Sequence, residues 1–130
     1  MNRIRLINKE QLSSITKFID DNSNEFNYFK MIGWNSKNIE NQFSKNNNYS
    51  LGYYQADKLT GVLIGDRIKN DNEYDLELHI LFVSKDLRRK KIATKLLNYI
   101  ETNNVNFSKI FIEVAEDNVD AISFYQKNSF

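Results

Sequence analysis

"LHILFVSKDLRRKKIATKLL", Leu78 to Leu97, decides how this chain folds. Its first residues end a strand-like run: Leu76, Leu78, Ile80 and Phe82 alternate with Asp75, Glu77 and His79, which predicts one core face and one polar face. Towards Leu81 and Val83 both faces become apolar. From Ile92 onward, Ile92, Leu96, Leu97 and Ile100 return at intervals of four, one and three residues, which predicts an amphipathic helix. Arg88, Arg89, Lys90 and Lys91 crowd its start. A helix N-terminus carries the positive end of the macrodipole, so each cation there is disfavoured by a few tenths of a kcal/mol, roughly. Strand, short loop and helix start is also a geometry that binds phosphate through backbone N–H groups, and the cations are then complementary. A nucleotide pyrophosphate, a nucleic-acid backbone and the salt around a solvated face are all compatible with that pattern.

Working outward, Ile4, Leu6 and Ile7 suggest an opening strand, and Asn8 can cap a helix in which Leu12, Ile15 and Ile19 share a face. A polar break at Asp21 to Asn24 precedes the aromatic segment "EFNYFKMIGW" and a second helix around Ser36 to Ser44. "YSLGYYQ" and "LTGVLIGDRIK", separated by Ala56, Asp57 and Lys58, read as an antiparallel hairpin, and a third strand follows Asn70 to Asn72. After the basic helix come "KIFIEVA", a buried strand, and "NVDAISFYQKN", a last helix. The predicted order is strand, helix, helix, three strands, helix, strand, helix: an α/β domain with a mixed sheet.

Composition bounds the function. At 130 residues, with no Pro/Gly linker and no internal repeat, one domain spanning 1–130 is expected. A net charge of +1 gives no global attraction to nucleic acid or membrane, so neither is expected as a partner. The absence of cysteine excludes disulfides, thiolate metal sites and a cysteine nucleophile, and a single histidine makes a metal site unexpected. No stretch has the pattern of a signal peptide or a membrane span, so a soluble cytoplasmic protein is expected.

Two motifs carry a family resemblance. Arg88-x-x-Lys91-x-Ala93 at the helix start resembles the Gln/Arg-x-x-Gly-x-Gly/Ala fingerprint of the GNAT N-acetyltransferases, with Lys91 in the glycine place. Asn118, Ala121, Ile122, Tyr125 and Phe130 resemble that family's Asn-x-x-Ala-Ile-x-x-Tyr with its closing Phe, and Ser129 replaces a glycine. The resemblance covers roughly Glu77 to Phe130, and before Asn72 only the element order agrees. It implies a GNAT-like fold, with a mixed, mostly antiparallel sheet flanked by helices, and acetyl-CoA as co-substrate with no metal. Arg88, Arg89, Lys90, Lys91, Ile92 and Ala93 would then supply backbone N–H groups to the pyrophosphate, with Thr94 adding a hydroxyl and Asn118 belonging to the same cofactor site. Phe82 and Val83 would offer main chain to the pantetheine arm and the acetyl carbonyl.

Acetyl transfer to an amine needs a neutral nucleophile, an oxyanion donor and a proton for the departing thiolate. By the resemblance Tyr125 faces the sulfur as general acid; a core tyrosine is the plain alternative. Glu113 is the first candidate for the base, similar in place to the glutamate of ribosomal-protein alanine acetyltransferases, and Glu77 is the second. His79 shares the polar face with Glu77. Each glutamate is equally readable as a solvent-facing strand residue, and a lone strand histidine is more often a surface or hydrogen-bonded residue than a base. Phe26, Tyr28, Phe29 and Trp34 either line an acceptor pocket or fill the core between helix and sheet. The expected activity is acetyl transfer to a primary amine of a small molecule or a peptide N-terminus. The alternative is a non-catalytic acyl-CoA-binding or regulatory domain. Family members usually continue into further strands beyond the Tyr125 helix. The sequence ends at Phe130, so the expectation is either a truncated form of a longer protein or a homodimer whose second chain supplies the missing pairing.

Overall fold

The computed structural model describes residues 2–25, 27–31, 33–102 and 107–112. Strand β1 (Asn2–Leu6) leads into a short 3-10 turn capped as expected. Asn8 accepts the Glu10 N–H, and the Gln11 side chain accepts from the Asn8 N–H. Two orphan donors are thereby satisfied at the entry to α1 (Leu12–Asp21). The aromatic segment contains a short helix that its sequence did not announce, α2 (Asn27–Met31), ahead of α3 (Ser36–Ser44), which Asn35 caps through the Asn38 N–H.

Strands β2 (Asn48–Gln55), β3 (Lys58–Asn70) and β4 (Glu73–Val83) form a meander, followed by α4 (Ile92–Thr102) and β5 (Phe107–Ile112). The hairpin loops are tighter than the sequence suggested. Each has two residues, so that Lys58 and Asn70 belong to β3. Ala56 (φ 53°) and Asp71 (φ 57°) make these turns in the left-handed region. Among the described residues the sheet order is β1-β2-β3-β4-β5, with antiparallel pairs up to β4 and a parallel β4–β5 pair. The expected mixed, mostly antiparallel α/β fold is the one observed.

The sheet separates two cores. On one face Ile15, Phe18 and Ile19 of α1 and Ile39 and Phe43 of α3 pack on Val62, Ile64, Ile80 and Phe82. On the other, Ile92, Leu96, Leu97 and Ile100 of α4 pack on Leu51, Leu63, Leu76 and Leu78. Each such buried aliphatic side chain contributes roughly 1.5–3 kcal/mol. This arrangement corrects the expectation for β4, in which Leu76, Leu78, Ile80 and Phe82 share one face. Leu76 and Leu78 face α4, whereas Ile80 and Phe82 face α1 and α3.

The cause is a β-bulge. Leu78 pairs with Gly65 and Ile80 with Ile64, which leaves His79 as an extra residue and reverses the side-chain parity beyond it. Gly65 permits the kink, since a Cβ there would lie 2.7 Å from the Glu77 carbonyl oxygen.

Candidate functional site

The basic segment takes a defined backbone path. β4 ends at Val83, and the Ser84 N–H donates to the Thr60 carbonyl at 2.9 Å. Lys85–Lys90 then forms a 3-10 turn, Lys91 adopts a left-handed conformation (φ 60°, ψ 26°), and α4 begins at Ile92. The Lys95 N–H donates to the Lys91 carbonyl at 3.0 Å. The N–H groups of Ile92, Ala93 and Thr94, in the first turn, therefore lack an intrahelical acceptor. Lys91 thus has the conformation that glycine adopts without strain, at a cost of roughly 1 kcal/mol for a residue with a Cβ. Its side chain is exposed.

Ile92 is buried, and its Cγ2 would lie 3.1 Å from a Cβ at Gly61, so α4 is seated closely on β3. Ala93 and Thr94 are half-buried. Phe82 turns its ring into the α1 side of the core, edge-on to Phe18 at 5.8 Å and to Phe29 at 6.1 Å. Val83 faces α4. Both side chains are thus committed to packing. Among the described residues the parallel β4–β5 pairing includes Leu76 with Ile110 and Leu78 with Ile112.

A second cluster lies on the α3 side of the sheet, at the bulge. His79 Nε2 is 2.9 Å from Asp66 Oδ2, and its Nδ1 is 3.8 Å from Glu77 Oε1. Asp66 also accepts from Gln42 Nε2 at 2.8 Å and from Lys45 Nζ at 3.1 Å. Burial pushes the Asp66 carboxyl up, but its hydrogen bonds from His79, Gln42 and Lys45 together outweigh that and hold it below its ordinary value. Gln42, itself buried, donates further to the Gly65 carbonyl at 3.0 Å and to Asn48 Oδ1 at 3.1 Å, which ties α3 to the bulged strands. The Trp34 ring lies 5.3 Å from the His79 ring.

The expected site residues are thus partly assembled. Phe82, Val83 and Arg88 to Thr94 form one continuous strand-to-helix path, and Glu77 and His79 share the bulged face. Glu113, Asn118 and Tyr125 lie outside the described residues, as does Phe26. Phe29 and Trp34 pack on the α1–α3 core, and Trp34 also faces His79. Asp66, Gln42 and Lys45 were not foreseen as site residues. The one signal for them was an acid, Asp66, following Gly65 directly after the apolar run Val62 to Ile64. Among the described residues no group of three or more His, Cys, Asp or Glu side chains is placed to hold a metal ion. No helix of theirs is long and apolar enough to cross a membrane.

Comparison with known proteins places the chain in a family. The sequence profile of the Acetyltransferase (GNAT) family matches residues 15–130. No curated protein matches the chain. Among solved structures, a possible acetyltransferase from Clostridium difficile 630 superposes with a TM-score of 0.81 at 21% identity, covering 100% of this chain and 90% of its own. A ribosomal-protein-alanine N-acetyltransferase from Brucella melitensis biovar Abortus 2308 gives 0.76 at 15% identity, covering 97% and 89%. The aminoglycoside enzyme AAC(6')-Iy, in complex with a bisubstrate analogue of CoA and acetylneamine, gives 0.74 at 15% identity, covering 100% and 90%. At these identities the likeness is one of fold.

Proposed function

The chain belongs to the GNAT family of acetyltransferases, and from that premise we propose that it transfers the acetyl group of acetyl-CoA to a primary amine. The acceptor is a small molecule or a peptide N-terminus, and the reaction belongs to the cytoplasm. The observation that carries this reading is the path from β4 through the left-handed Lys91 into α4, within the span that the family profile matches.

In this reading the N–H groups of the segment Arg88 to Ala93 hold the pyrophosphate, assisted by the Thr94 hydroxyl and by the positive charge of Arg88, Arg89, Lys90 and Lys91. The left-handed turn fits that role, because it directs successive N–H groups to one side as an anion nest does. The main chain of Phe82 and Val83 runs along the pantetheine arm, and Asn118 belongs to the same site. Acetyl-CoA supplies the activated acyl group. The chain supplies position, exclusion of water and proton management. Tyr125 protonates or stabilises the departing thiolate, and Glu113 or Glu77 lies nearest the amine.

Release of the coenzyme A thiol, followed against a panel of primary amines, tests this function directly. Amine-dependent release with matching acetylated product is expected, and acetyl-CoA binding without turnover of any amine would contradict it. In an active assay, Tyr125→Phe should lower kcat by about 10² to 10⁴ with little change in KM. Turnover equal to the parent, where chemistry limits the rate, would make Tyr125 structural.

A further inference from the structure

We infer that Asp66 is a positioning residue: it fixes the His79 imidazole as the Nε2–H tautomer, so that Nδ1 is the base that takes a proton from the acceptor's ammonium group. The inference rests on the acetyl-transfer reading above and deepens it. Asp66 Oδ1 accepts from Gln42, and Oδ2 accepts from Lys45 and lies 2.9 Å from His79 Nε2. With donors from Gln42 and Lys45 on it, Asp66 is a carboxylate and only accepts, so Nε2 must donate. In the neutral ring the lone pair is then on Nδ1.

Nδ1 is 3.8 Å from Glu77 Oε1, too far for a hydrogen bond. That spacing suits a third group that donates to both, and a primary ammonium does so with two of its three N–H bonds. The Trp34 ring lies beside the His79 ring, tilted 45° to it with centroids 5.3 Å apart, and helps to fix its orientation. Among the described residues, the charged groups that face His79 are Asp66 from β3, Lys45 at the end of α3 by way of Asp66, and Glu77 from β4. Lys45 is neutralised by Asp66, so the open side, towards Glu77, is negative. The bulge is what brings this about, since it inserts His79 as the extra residue of β4 opposite Ile64 and Gly65, next to Asp66.

The proton balance is explicit. The ammonium gives one proton to Nδ1, and the freed lone pair forms the N–C bond. The C–S bond then breaks, the second proton lost from nitrogen ends on sulfur, and His79 returns its proton to solvent. R–NH3+ and the acetyl thioester thus give the acetamide, the thiol and one proton.

His79 is the chain's one histidine, so its imidazole nitrogens give a single, self-assigned set of 15N signals. The expected spectrum of the neutral ring has Nε2 protonated and Nδ1 bare, and Asp66→Asn should lose that preference. In turnover, His79→Ala should lower kcat by about 10² to 10⁴, with part of the loss restored by added imidazole. Asp66→Asn should lower kcat by more than about tenfold at an unchanged KM for acetyl-CoA. His79→Gln, which keeps a polar side chain against Asp66, guards against a variant that merely unfolds. An Nδ1–H tautomer in the parent, or parental kcat in folded His79→Gln, would overturn the inference. If acetyl-CoA fails even to stabilise the parent, it is the acetyl-transfer reading that fails, and the tautomer spectrum still decides the role of Asp66.

Discussion

Lys91 is the residue at which sequence and backbone disagree most plainly. A pattern that asks for glycine has lysine, and the chain nevertheless takes the left-handed turn that glycine would take. Replacing it should therefore relieve strain: Lys91→Gly is expected to raise unfolding free energy by roughly 0.5–1 kcal/mol in a denaturant titration, reduced by the extra entropy glycine brings to the unfolded chain. A loss of stability would mean that the Lys91 side chain makes a contact worth more than the strain.

Tyr49 allows a second prediction at this scale. Its hydroxyl is buried without a hydrogen-bond partner among the described residues, and burial, then the nearby Tyr99, push its pKa up to about 12. Between pH 10 and 12 the folded state then retains a proton that the unfolded state loses, so stability falls as pH rises through that window. The full loss is about 2 to 3 kcal/mol. Tyr49→Phe should be at least as stable at neutral pH and should lose less stability on alkaline titration, measured by denaturant midpoint. For Asp66 the sign is reversed. Its depressed value contributes stability above the ordinary carboxylate range, and that contribution is lost as pH falls through the folded value.

At the scale of elements, the bulge in β4 links fold to site, and it was hidden in the sequence for a physical reason. β4 has apolar residues on both faces beyond His79, so the run Leu76, Leu78, Ile80, Phe82 keeps a perfect period of two while the parity beneath it reverses. The visible traces were Leu81 and Val83, apolar where a regular strand would be polar, and Gly65 on the partner strand. Helices were easier to read. Asn8 caps the 3-10 turn that leads into α1, one turn earlier than the helix it was expected to cap, and α3 spans Ser36–Ser44 as expected, because caps and 3.6-residue periodicity are local signals. The Asp66 network was not legible, since its members on α3, β3 and β4 meet only through tertiary structure. Gly65→Ala tests the bulge: with a Cβ 2.7 Å from the Glu77 carbonyl, backbone must move, and a loss of roughly 1–3 kcal/mol is expected together with displacement of His79. A variant with parental stability and parental imidazole signals would show that the close approach does not matter.

For the whole molecule, the element order and the two family motifs suggested the fold, whereas the division into two cores, with Ile80 and Phe82 on the α1–α3 side and Ile92, Leu96 and Leu97 on the α4 side, became visible only in the structure. In the proposed function, the path between β4 and α4 is where the acetyl-CoA pyrophosphate is held. Acetyl-CoA that binds there stabilises the folded state by mass action, by about 2.7 kcal/mol at a hundredfold excess over Kd. The most direct measurement is the melting temperature of the purified chain with and without millimolar acetyl-CoA, and with Arg88→Ala/Lys90→Ala as comparison. A rise of several degrees that the double variant diminishes is the predicted result. An unchanged melting temperature at millimolar acetyl-CoA would contradict the account.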